Sequence, residues 1–447
     1  MLYQEASLVP DQINQLNAAL ASGYRRVASG QWRAEGRETV IPNGPRVLAG
    51  IALSLLTFGC VAEPQPPPGA AREFIGSANC AECHQGIYDR WEETLMANVV
   101  QDPAEHPDAV LGDFSTPDTL VTFGLEDVAF IYGSKWKQRY FTHVGDDYYV
   151  LPAQWDVQNG NWRRYFPQPG GDWWTEHYPV DPMQRPTGPL CDGCHSVNYD
   201  VATKTVTEWN VGCERCHGAG SLHVEFPVPE TIVNPNWAGD PVRATDVCVQ
   251  CHSQGQPPSN PIRGQYYDWP VGYQPGDRLS DFWLLDEHHL GEETFTHWPE
   301  GSAHKNRMQG NDYVQSQMYV KGVTCAACHD VHGTENEADL LFPGNAVCTQ
   351  CHTPQLQPGP RGTLSFHTQH DEDSEGSQCV ACHMPEVART VGNVAVRSHT
   401  FRFITPTMTE QYGIPNPCTS CHTDETNDWA LEELRSWPSV SPWRVGG

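Results

Sequence analysis

The chain has 447 residues, with 55 Asp and Glu against 27 Lys and Arg, for a formal charge of −28. An acidic excess of that size leaves no basic face for nucleic acid, and the length allows two or three ordinary domains. Its 39 glycines and 37 prolines predict short regular elements joined by many loops, so something besides side chains must help to fill the interior.

Residues 1–45 read as a polar N-terminal extension, with a short helix expected over 11–21 and a start codon placed too early. Arg46 then opens an apolar run over 47–58. Its length suits the hydrophobic stretch of a signal peptide and is short for a bilayer span, so 46–59 are read as a signal. Gly59-Cys60 resembles a bacterial lipoprotein junction, which would make Cys60 a lipid anchor; Thr57 stands where a Leu is usual, and a plain cleaved signal with a free Cys60 is the other reading. Residues 60–73 form a proline-rich tether of the kind that holds a domain off a surface.

Sixteen of the 17 cysteines then fall into one pattern, Cys-x-x-Cys-His, repeated eight times. The copies are Cys80/Cys83/His84, Cys191/Cys194/His195, Cys213/Cys216/His217, Cys248/Cys251/His252, Cys325/Cys328/His329, Cys348/Cys351/His352, Cys379/Cys382/His383 and Cys418/Cys421/His422. Two thiols at this spacing add across the vinyl groups of one haem, and the adjoining His becomes the proximal ligand of its iron. Zinc binding needs no His after the second Cys. Histidine is 20 of 447 residues, so eight such placements by chance have odds on the order of 10^-11. A redox CxxC would sit in a thioredoxin-like βαβ pattern, which is absent, and a disulfide framework would vary its spacings. Eight covalent c-type haems are therefore expected. They would leave roughly 50 residues for each porphyrin, so folding should be coupled to haem attachment.

Twelve histidines lie outside the motifs, enough for a second axial ligand at every iron. His332 follows His329 as CHxxH and His223 lies six residues beyond His217, so each can leave one site and reach a neighbouring iron. His177, His304, His367, His370 and His399 sit in segments entering motif clusters and are further candidates. His106, His143, His288, His289 and His297 are read as surface or structural, the 286–289 stretch as a solvated loop. Met96 is either a thioether ligand, which would raise the potential of one haem, or a residue packed on a porphyrin face.

The fold class expected is a multihaem cytochrome c, with short helices and loops wrapped round haems and a small antiparallel β insertion. An N-terminal tetrahaem domain is placed at 74–260 and a C-terminal one at 261–447. The insertion falls at about 101–185, where strand-like runs at 130–132, 136–142 and 148–151 are separated by turns at 133–134 and 145–147. An amphipathic helix is expected over 428–437.

Three groups of segments carry a family resemblance. They are Phe74-Ile-Gly-Ser-Ala-Asn-Cys80-Ala-Glu-Cys-His84 with Tyr88 and Trp91; Glu208-Trp-Asn-Val-Gly-Cys213-Glu-Arg-Cys-His217 with His223; and Gln315 to His332. Cys379 to Pro385, Ser398-His399 with Arg402, and Gly413-Ile-Pro-Asn-Pro-Cys418 with His422 extend it. Over 74–437 the chain resembles multihaem cytochromes that join a nitrifier tetrahaem cytochrome-like half to a doubled-CxxCH half. The resemblance implies haem binding. It departs at Thr94-Leu95-Met96, where the family has Ser-x-His, and no tetratricopeptide array of the kind many relatives carry is read after Trp443.

These observations predict electron transfer between unknown redox partner proteins in an extracytoplasmic respiratory chain, at the periplasmic or cell-surface side. An oxidoreductase acting on a small nitrogen or sulfur oxyanion is the alternative; it needs an open iron beside cationic groups, for which 304–312 is the best candidate segment, its other role being to pair propionates. A homo-oligomer or extracellular cytochrome filament is a third reading.

Overall fold

A computed structural model describes residues 24–26, 32–34, 69–165, 177–237, 239–352 and 363–438. The signal-like run, Cys60 and the helix expected at 11–21 lie outside them. Among the described residues no helix is long and apolar enough to cross a membrane.

The strands β1 (Tyr24–Arg26) and β2 (Trp32–Ala34) form a separate antiparallel pair. The expected β insertion is a five-stranded antiparallel meander: β3 (Val100–Gln101), β4 (Phe130–Tyr132), β5 (Lys137–Val144), β6 (Asp147–Asp156) and β7 (Asn161–Arg164), in that spatial order. Strands β5 and β6 run longer than the sequence suggests. Val144 pairs with Asp147, so the hairpin closes on Gly145-Asp146 alone, and Gly145 takes the positive φ of 66° that such a two-residue turn requires. Both faces of the sheet are covered. Tyr140, Ile131, Leu151 and Trp162 pack on one side. On the other, Tyr132, Phe141, Val150 and Tyr165 pack against Leu190 and Cys191, so the sheet is built directly onto the second CxxCH copy.

Each CxxCH copy has its own short element, as the loop-rich composition requires. The first lies on α1 (Ala78–Trp91), which bends at His84. The second lies on a single π-turn, Gly188–Asp192, and the third on α2 (Glu214–His217), followed by α3 (Ser221–Glu225). Cys248 is in α4 (Pro241–Val249) and Cys325 opens a 3-10 turn, Cys325–Ala327; α5 (Gln309–Tyr313) and α6 (Gln317–Val320) lie between them in sequence. The last three copies lie on α7 (Ala346–His352), α9 (Cys379–His383) and α11 (Pro417–Cys421). Helices α8 (Leu364–Thr368) and α10 (Pro406–Tyr412) intervene. The C-terminal helix, α12 (Asn427–Ser436), is capped by Thr426 and buries Ala430 and Leu434, one turn apart on one face.

Minor strand pairs are β8 (Ser196–Val197) with β9 (Glu208–Trp209), β10 (Gly255–Gln256) with β11 (Leu284–Leu285), and β12 (Glu386–Val391) with β13 (Val394–Arg397). Contacts cross position 260: β10 pairs with β11, and the Lys137 amine donates to the Thr390 carbonyl at 3.4 Å.

Candidate haem-iron sites

Four motif histidines face a second imidazole. His84 stands opposite His223 at 6.4 Å between ring centres and 12° between planes. His217 faces His332 at 6.2 Å and 22°, His383 faces His367 at 6.2 Å and 7°, and His422 faces His370 at 6.1 Å and 34°. A metal–imidazole bond of roughly 2 Å and about 1.1 Å from nitrogen to ring centre, doubled, gives about 6.2 Å. The four spacings therefore fit an iron held between two imidazoles. Directly stacked rings would approach far more closely, as His177 does on Tyr266 at 3.8 Å.

Hydrogen bonds to the far ring nitrogen fix several of these imidazoles. His217 Nδ1 lies 2.8 Å from the Val233 carbonyl, and His223 Nδ1 lies 3.1 Å from Thr231 Oγ1. His332 Nδ1 lies 3.0 Å from Asp330 Oδ1, and His370 Nδ1 lies 2.6 Å from the Thr368 carbonyl. Such bonds leave Nε2 as the coordinating nitrogen and orient the ring.

The structure spreads the remaining candidates. His399 is half-buried, and desolvation with the nearby His329 and His252 holds its pKa down to about 4; His399 Nδ1 lies 3.2 Å from the Arg397 carbonyl. His304 leans on Trp298 at 4.3 Å, and neither of its ring nitrogens has a hydrogen-bond partner. His177 is exposed on its tyrosine. Met96 is half-buried, and the position facing His84 is held by His223. His106, His143, His288 and His289 are exposed, whereas His297 is buried, its Nδ1 3.1 Å from Thr296 Oγ1.

His195 has different surroundings. Its nearest aromatic ring is Tyr132, at 5.3 Å. Burial pushes its pKa down to about 4, helped by the positive Arg307 and Arg139. The sheet supplies two of these neighbours: Tyr132 on β4 and Arg139 on β5 are cross-strand partners. Arg139 lies over the Tyr165 ring at 4.8 Å, and the Tyr132 hydroxyl donates to Asp192 at 3.1 Å. Arg307 comes from the expected 304–312 segment and pairs with Asp268 at 2.7 Å. Lys137, also on β5, is buried beside Arg139 and Lys305, and that burial and repulsion hold its amine well below the usual lysine range.

Sequence reasoning missed the carboxylates that join attachment sites. Glu214, inside the third motif, is 1% exposed and accepts the backbone N–H groups of Ile75, Gly76 and Gly220 at 2.7–3.0 Å. Glu208 accepts from Ser77 N at 3.0 Å and from its hydroxyl at 2.6 Å. The signal for Glu214 was present, an acid at a motif x position in a loop-rich chain, but its partner 139 residues away was not readable.

A family model described as the doubled CXXCH motif matches residues 318–357. The curated dissimilatory sulfite reductase MccA of Wolinella succinogenes is 22% identical over 399 residues, covering 70% of this chain and 51% of that protein. The chain thus spans about half the length of the curated relative it matches. Among solved structures, the outer cell wall cytochrome OcwA superposes with a TM-score of 0.67 at 24% identity, covering 81% of this chain and 86% of that one. The fold is that of a multihaem cytochrome c. The undecahaem cytochrome from the S-layer of Carboxydothermus ferrireducens gives a TM-score of 0.46 at 18% identity, covering 83% of this chain and 62% of that one. The CxxCH copies are sites for c-type haems, on a fold of short helices and small antiparallel sheets.

Proposed function

We propose that this chain carries eight covalently attached haems and serves electron transfer between redox proteins outside the cytoplasm. The observation that carries the reading is the set of four imidazole pairs spaced for an iron. Bound haem would supply one-electron chemistry. The chain's part is to fill both axial positions with neutral imidazoles, so that neither substrate nor solvent competes for the metal. His223, His332, His367 and His370 take that role opposite His84, His217, His383 and His422. His399, which lies near His329, is assigned the same role there. The signal-like run at 47–58 supports an extracytoplasmic site, as does likeness to a protein named for the outer cell wall. Cys60 would then be the point of lipid attachment, seen as an acylated N-terminus in the mass of the mature protein.

Electron paramagnetic resonance on the oxidised protein tests this. Low-spin ferric signals from at least the four paired sites are expected, and a predominantly high-spin spectrum would overturn the reading.

A second reading is favoured at His195 alone. A tyrosine there occupies the place nearest the ring, and Arg307 and Arg139 are the charges that face it. Preorganised cations beside an axial position suit a small oxyanion, which would make this site reductive. One high-spin signal shifted by sulfite or nitrite is its expected mark; a spectrum indifferent to both defeats it.

A further inference from the structure

The thiols also report which attachment sites are neighbours, because each becomes bonded to the edge of its own porphyrin and touching thiols place two porphyrin edges together. The Cys80 thiol lies near Cys213, joining motif one to motif three. The Ser77 hydroxyl spans the same junction, accepting from Cys213 N at 2.9 Å. Motif three meets motif four through Gln250, whose amide donates to the Arg215 carbonyl at 3.3 Å, with Cys216 near both Cys248 and Cys251. Helix α4 packs against the Cys325–Ala327 turn, with Cys248 near Cys325 of motif five. Cys328 lies near Cys351 of motif six. Cys379 N of motif seven donates to Asn345, beside α7, at 2.7 Å, with Cys348 near Cys379. Cys382 lies near Cys418 and Cys421 of motif eight.

Motif two stands off this line. Its thiol contact is with motif four: Cys194 Sγ lies 3.9 Å from the Gln250 carbonyl, and Cys251 Sγ lies 4.0 Å from the Cys194 carbonyl. Its backbone pairs with the segment before motif three through β8 and β9, yet its thiols face motif four. Burial agrees with that order. Of the described cysteines, Cys83 and Cys421 are exposed, one in motif one and the other in motif eight; Cys191 is buried.

We infer that the electron path runs through motifs one, three, four, five, six, seven and eight, and that motif two is a spur off motif four. The inference rests on the electron-transfer reading and deepens it. The two ends of the path reach the surface, where a protein partner can approach closely. The spur ends against the sheet, with Arg307 and Arg139 beside it, a setting that suits a small anionic electron acceptor. Electrons can therefore leave sideways at motif two without breaking the line between the ends.

The test compares films of the full haem-loaded protein between electrodes. The double variant Cys191→Ala/Cys194→Ala should lose one haem by intact mass and keep the end-to-end conductance of the wild type. Loss of conductance in a variant that is folded by circular dichroism and otherwise fully loaded would overturn the order. Should that variant fail to fold, His195→Met keeps both thioether bonds and raises the potential at that site alone. A spur predicts unchanged conductance and one shifted step in the redox titration, whereas a site in series predicts a fall in conductance with that shift. A wild-type film that does not conduct would sink the electron-transfer reading itself, a result distinct from either variant outcome.

Discussion

Glu214 gives the sharpest energetic test of how the attachment sites are held. Its carboxylate accepts three backbone N–H groups: Gly220 at 2.7 Å, Gly76 at 2.8 Å and Ile75 at 3.0 Å from each oxygen. The Gly220 bond is buried and the others are partly so, in a residue 1% exposed. A buried donor left without a partner costs about 1–3 kcal/mol. The Gly220 donor bears that in full, while the Ile75-Gly76 segment before α1 can turn part of its loss to water. Glu214→Ala should thus destabilise by about 3–5 kcal/mol. Glu214→Gln keeps one oxygen and turns an NH2 group toward a donor, so about half that loss is expected. Guanidinium unfolding followed by far-ultraviolet circular dichroism measures both, with the unfolding slope checked for constancy. An Ala variant within about 1 kcal/mol of wild type, or a Gln variant worse than Ala, would refute the stapling argument.

Three other outcomes follow from the same coordinates. His332→Ala should add one high-spin ferric signal to the paramagnetic resonance spectrum, because His332 is the ring facing His217; His332→Met should keep that site low-spin and raise its potential. Arg402→Ala removes the guanidinium 3.1 Å from Glu300, whose side chain is 1% exposed, and should cost about 3 kcal/mol in denaturant unfolding. Asp286 is pushed up to about 6 from 3.8, by burial first and then by Asp268, so the folded chain holds its proton more tightly than the unfolded chain. Its contribution to stability is therefore greatest below pH 4 and is lost as pH rises toward 6. Asp286→Asn should flatten that fall and gain about 1–2 kcal/mol at pH 7, read as unfolding midpoints at the two ends of the window.

The sequence was most informative where chemistry demands a fixed spacing. CxxCH has one sensible use at eight copies, and alternating runs around Gly133 and Gly145 identify the meander, because period-two burial and a two-residue turn are local properties. Pairings across the chain were not readable in the same way. His223, His332, His367 and His370 stood out as spare imidazoles, but nothing in their spacing says that His332 should face His217, 115 residues earlier, rather than a site nearer in sequence. Tertiary packing brings the segment there: Arg90 pairs with Asp330 at 3.9 Å, and Gly333, with no Cβ, lets its backbone approach the Arg90 carbonyl. The cations around His195 were half visible. The 304–312 segment is basic for this chain, whereas Arg139 looked like an ordinary strand residue until the β4–β5 register set it opposite Tyr132.

The acidity of the chain also has a structural component. An element of four or five residues cannot satisfy its own backbone, since the first four N–H groups of any helix have no internal partner. A fold made of such pieces needs acceptors from elsewhere. Here Asp156, Asp192, Glu214, Glu300 and Asp312 are buried at 3% exposure or less. Glu214 collects three N–H groups from two segments, Asp312 accepts from Ala303 and His399, and Glu300 accepts from Ser302. Carboxylates suit this task because each offers two oxygens and charge-assisted bonds of about twice the neutral strength. The negative excess is thus partly internal scaffolding. In such a chain Arg307 and Arg139 stand apart by contrast, and beside motif two they offer an external anion positive charge rather than repulsion.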